Sequence, residues 1–155
     1  MAKLDSSSID VDDRRRLAAD LFNLVWTLME TPGRTPDEDE RMLNAAHASR
    51  FHWGEVGGPV NVARGEWQVS RVYAILGRPE SALHHAARCL ETCRRYGVGE
   101  FDVACAYEAL ARASALADRR EDAARYAAAA RELVDRIDDE EDRGILVADL
   151  ATLPI

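Results

Sequence analysis

Apolar residues recur along most of this chain at the three- and four-residue spacing of a helix that buries one face. Leu17, Leu21, Leu24, Val25 and Leu28 form such a stripe, widened by Phe22 and Trp26. They predict a first helix over about 11–29, ended by Thr31-Pro32-Gly33. Thr35-Pro36-Asp37-Glu38 starts the second helix with agreeing signals: a capping threonine, a proline for the first helical position, and a glutamate to complete a capping box. Asp37 to Glu40 suit the positive end of that helix dipole and read as a solvated first turn. The helix is expected to reach about Trp53, where Gly54, Gly57, Gly58 and Pro59 break it. A third helix follows over about 60–76, stopped by Gly77, and Pro79 opens a fourth that ends near Tyr96. Gly97 and Gly99 precede a fifth over about 101–117. Asp118 marks a turn before a sixth over about 121–137. Asp138 or Asp139 can cap a short last helix ending near Leu153, whose Leu146, Val147 and Leu150 can cover the end of a stack. No stretch alternates β-branched and polar residues with period two, so the fold class is all-α.

Composition sharpens this. Alanine, the best helix former, occurs 26 times among 155 residues. A chain of this length fits one domain, here 11–155 behind a polar, flexible 1–10, and folding should bury ~70% of its unfolded surface. A net charge of −8 argues against nucleic acid as partner, since phosphate neutralisation needs a basic stripe. No apolar run reaches the ~18 residues of a membrane span. Residues 1–10 lack the apolar core of a signal peptide. Three cysteines suit a reducing cytoplasm better than a disulfide framework.

The pattern of helix, short turn, helix and longer turn repeats three times. Shifting the chain by 41 residues places Ala74 on Ala115, Arg78 on Arg119 and Glu80 on Glu121. Ala82, Ala86 and Ala87 then fall on Ala123, Ala127 and Ala128, and the arginine and glutamate matches are those that alanine richness explains least. With Gly77 as turn glycine, Val69, Ser70 and Tyr73 precede it, and Ala82, Ala86 and Cys89 are the small residues of the next helix. The following unit supplies Leu110, Ala111, Ser114, Ala123, Ala127 and Ala130. Over about 60–137 the chain thereby resembles the tetratricopeptide (TPR) repeat family. It departs from that family in three ways: Trp67 lies one place late, the repeat exceeds the usual ~34 residues, and the proline after the second helix is missing. The resemblance implies three stacked antiparallel helical hairpins with a short C-terminal capping helix, either around a concave groove or closed into a compact bundle. It also implies a groove stripe of Arg64, Trp67 and Arg71, continued by Cys105, Glu108 and Arg112. The spacing of the first three puts them on one face, where two guanidiniums around an indole can pair with carboxylates and stack on planar groups.

Two further clusters could carry chemistry. His47, Arg50, His52 and Trp53 crowd one and a half turns of the second helix. His47 and Arg50 share a face and can hold an anion. His47 and His52 lie about 140° apart and cannot chelate one metal. If the chain folds back across Gly54–Val60, Glu66 meets His52 as an acid–base pair. His85, Cys89 and Cys93 form a row at four-residue spacing that could offer imidazole and thiolates to a soft metal. No Cys-x-x-Cys strengthens that row, and Cys89 falls on a small core position. No metal or cofactor is expected. Phosphate-cradling glycine loops, a nucleophile elbow and His-Glu-x-x-His are all missing, which argues against an enzyme. The favoured reading is a small cytoplasmic binding or scaffold protein for a protein or peptide partner, able to self-associate into a homo-oligomer. The alternative is an enzyme, or a small-molecule or metal-binding protein, with a pocket around His47–His52.

Overall fold

A computed structural model describes residues 8–155 of the chain. Their regular structure is seven α-helices and one 3-10 turn, with no strand among the described residues. The helices are α1 (Val11–Glu30), α2 (Pro36–Val56), α3 (Pro59–Ile75), α4 (Pro79–Tyr96), α5 (Glu100–Leu116), α6 (Arg120–Leu133) and α7 (Glu140–Ala151), with the 3-10 turn Val134–Arg136 before α7. The flexibility expected of the N-terminus concerns mainly residues 1–7, which lie outside the described residues. Asp10 caps α1 by accepting a hydrogen bond from the Asp12 amide at 3.0 Å.

Local chemistry sets most boundaries. At α2, Thr35 Oγ1 accepts from the Glu38 amide while the Glu38 carboxylate accepts from the Thr35 amide, which satisfies two otherwise orphaned donors. Gly77 and Gly97 end α3 and α4 with φ of 69° and 63°, a conformation that glycine adopts without a Cβ clash. Asp118 sits in the same left-handed region at φ 57°, between α5 and α6. The 41-residue repeat therefore extends to the backbone. Gly77 N–H donates to Ala74 O and Arg78 N–H to Tyr73 O; in the next unit Asp118 N–H donates to Ala115 O and Arg119 N–H to Ser114 O. Two boundaries differ from the sequence expectation. Gly54 does not break α2, which continues to Val56 with Gly57 as its cap. The sixth helix stops at Leu133, and Ile137 is buried beyond the 3-10 turn.

Each helix from α1 to α5 packs against the next in sequence. Across these pairs, α1 also touches α3, α3 touches α5, and α5 touches α7. The odd-numbered helices thus lie side by side. Three apolar clusters run through the stack. Val25, Met42 and Val69 belong to the first, Ala63, Cys89 and Leu110 to the second, and Ala104, Ala127 and Leu146 to the third. Many of these buried residues are alanines, whose small side chains allow close helix approach.

Candidate functional site

Two constellations gather the charged and aromatic residues. The first lies between α2, α3 and α4 around Glu66, whose surface is 3% exposed. Arg50 Nε donates to Glu66 Oε1 at 2.9 Å and Arg88 Nε donates to the same oxygen at 3.1 Å. His85 Nδ1 lies 2.7 Å from Oε2. Beside them His47 Nε2 and Tyr73 Oη are 2.9 Å apart, and the His85 ring stacks on Tyr73 at 5.6 Å. Helical spacing explains the convergence. His47 and Arg50 on α2, and His85 and Arg88 on α4, are each three residues apart, while Glu66 and Tyr73 on α3 are seven apart. Glycine makes room for it. A Cβ on Gly65 would lie 2.8 Å from Arg50 Cδ, and one on Gly54 2.8 Å from Arg50 Nη1, so the Arg50 side chain passes between two bare backbones.

Burial works against ionisation of Glu66, but hydrogen bonds from His85 and Arg88 and the Arg50 charge outweigh it and hold its pKa down to about 2. A carboxylate held this low is a poor proton acceptor near neutrality. His47 is lowered, chiefly by burial and then by the His85 charge. The cluster is an ion-pair hub that joins three helices.

The second constellation is a groove of about 280 Å³ walled by α1, α3, α5 and α7. Trp26 of α1 stacks on Trp67 of α3 with ring centroids 5.7 Å apart, and Phe22 and Phe101 extend this apolar lining. Trp26 stays 38% exposed, and Ile145 of α7 is exposed on the opposite wall. Arg64 grips Asp102 with two hydrogen bonds, from Nε at 2.8 Å and Nη2 at 3.2 Å, which ties α3 to α5. Gln68 Nε2 donates to Phe22 O at 3.0 Å and ties α3 to α1. At one end of the groove the charges are consumed by α7. Arg71 pairs with Asp149 at 2.9 Å, and its guanidinium lies 5.3 Å from the Trp67 ring. Arg112 donates to Glu108, to Asp149 O and to Thr152 Oγ1. Burial raises the pKa of Glu108, against the pull of Arg71 and Arg112.

Of the stripe implied by the repeat resemblance, Arg64, Trp67 and Cys105 line the groove, whereas Arg71, Glu108 and Arg112 lie in the network beneath α7. The fold also splits the His47–His52 segment, as the angle between its histidines requires. His47 and Arg50 face the Glu66 hub, while His52 Nδ1 is 2.9 Å from Arg14 Nη1 and Trp53 packs near Arg15. Glu66 meets His85 in place of His52. Of the His85-Cys89-Cys93 row, His85 turns to Glu66, while Cys89 and Cys93 are free buried thiols that hydrogen-bond each other, and no metal-holding group of three ligands occurs among the described residues. Sequence reasoning placed Tyr73 only as a repeat position and did not single out Arg88 or Gly65; the His85/Arg88 spacing, which repeats that of His47 and Arg50, was the available signal.

No family model, curated protein or solved structure matches this chain. Among the described residues, no helix is long and apolar enough to cross a membrane.

Proposed function

We propose that the protein is a small cytoplasmic binding module whose groove between α1, α3, α5 and α7 docks a segment of a protein or peptide partner. In this reading α1/α2, α3/α4 and α5/α6 are three stacked hairpins of TPR-like kind, and α7 caps the stack. The observation that carries it is the partly exposed Trp26–Trp67 stack lining a groove of about 280 Å³. Tryptophan in such a setting is the residue type that most often dominates binding energy. Three free thiols and the absence of any disulfide pairing fit a reducing compartment. The enzyme reading has less support, because the buried hub spends its only carboxylate on three basic partners.

Selection of a random peptide library on the immobilised full chain tests this. Enriched peptides should bind Trp26→Ala at least tenfold more weakly, with the helical circular dichroism of the variant unchanged. Peptides that bind both proteins equally would place the docking surface elsewhere. A dimer that Trp26→Ala dissociates, seen by light scattering, would replace the foreign partner with a second copy of this chain.

A further inference from the structure

The charges around the groove are unequal in how they are spent. Arg64 and Asp102 neutralise each other through two hydrogen bonds, and Asp149 is held by Arg71. Asp142, near the start of α7, is half-buried on the groove wall; its carboxylate makes no hydrogen bond or close ion pair among the described residues and shares the Arg64 charge with Asp102. The groove therefore sets three carboxylates, Asp102, Asp142 and Asp149, against the two guanidiniums of Arg64 and Arg71, beside two stacked indoles. The surrounding field has the same sign: besides burial, the charges of Asp102, Glu108 and Asp149 push the Cys105 thiol up, against the opposing charge of Arg64. Aromatic faces attract cations through their quadrupole, and a chain of net charge −8 draws cations from a distance. The cavity is slightly smaller than the ~300–1,000 Å³ of pockets that enclose a small organic ligand. It fits a side chain better than a cofactor.

We infer that the groove takes a basic side chain of a peptide partner, its aliphatic stem on the Trp26–Trp67 surface and its charge at Asp142. This rests on the binding-module reading and adds the chemistry of the occupant. A long basic side chain supplies both parts, since its stem is apolar and its head is charged. An acidic side chain at the same place meets Asp142 and loses the attraction of the indoles.

The test uses the full chain and blocked peptides Ac-Ala-Phe-X-Phe-Ala-NH2, with X lysine, norleucine or glutamate. Norleucine keeps the lysine stem and lacks the charge. Binding is read from the Trp26 indole resonance. The lysine peptide should bind about tenfold more tightly than the norleucine peptide, the glutamate peptide more weakly than either, and added salt should narrow the gap. In Asp142→Asn, which keeps the backbone amide that Asp139 caps, the lysine advantage should shrink to about twofold or less. Equal binding of lysine and norleucine peptides would overturn the inference and leave an apolar docking groove intact. An undiminished lysine advantage in Asp142→Asn would overturn the assignment of the charge. If no peptide moves the Trp26 resonance at millimolar concentration, the inference and the binding-module reading fall together.

Discussion

Glu66 shows how much one side chain can hold together. It is almost wholly buried, yet it is ionised because three basic groups from two flanking helices point at it. Its pKa is lowered from 4.5 to about 2, a difference worth about 3 kcal/mol of folding stability at neutral pH. The sign follows from proton linkage. The unfolded chain takes up a proton near 4.5 and the folded chain only near 2, so this stability is complete above about 4.5 and is lost as pH falls toward 2. Glu66→Gln should therefore be less stable than the wild type by about 3 kcal/mol in urea at pH 7. The difference between the two proteins should shrink toward zero as unfolding is repeated down to pH 2. A pH-independent difference would mean that shape, not charge, is what Gln fails to supply. Glu66 was visible in the sequence as a candidate, but its partner was not. His52 is near it along the chain, whereas His85 is near it only because α4 packs on α3.

At the scale of the element, the sequence was informative wherever a local rule decides. The capping box of α2, the proline at its first position and the glycine turns after α3 and α4 each follow from residues within one turn of the boundary. The same logic links Gly77 to Asp118, since the repeat in side chains continues in backbone hydrogen bonds. Local rules fail where a glycine serves a neighbour. Gly54 reads as a break but stays helical, and Gly65 sits in mid-helix where glycine is costly; both lack a Cβ where Arg50 passes. Alanine at Gly65 would bring a Cβ within 2.8 Å of Arg50 Cδ, with Arg50 Cα and Cβ at 3.4 Å. Despite its better helix propensity, Gly65→Ala should destabilise the protein by about 1–3 kcal/mol, because it pushes α2 from α3 and Arg50 from Glu66. Thermal unfolding checks it, and a gain in stability would show that Arg50 can move aside cheaply.

For the molecule as a whole, an all-helical stack was legible from spacing and alanine content, and the described residues are all-helical. How the stack treats its groove was not, because that depends on α7. This helix supplies the Asp149 carboxylate to Arg71 and the Asp149 backbone oxygen to Arg112, the latter across 37 residues of sequence. Glu108, 1% exposed, depends on those arginines. Arg112→Ala leaves it with Arg71 alone, at 3.8 Å. Unfolding in urea should show a loss of about 3 kcal/mol. Adding Glu108→Leu to the same chain should recover part of it, since an apolar residue of similar size removes the stranded charge. Failure of that rescue would assign the loss to the contacts of Arg112 with α7 instead.

The packing of neighbours has a consequence in time. Helices that pair with the next in sequence close short loops, and such contacts form early and quickly. The groove draws its walls from α1 and α7, nearly the two ends of the described chain, so it exists only when every intervening pair has docked. A partner docked as proposed would recognise the finished molecule and no partly folded form of it. Its binding free energy would then add to the stability of the entire stack by mass action, and it would clamp helices it never touches.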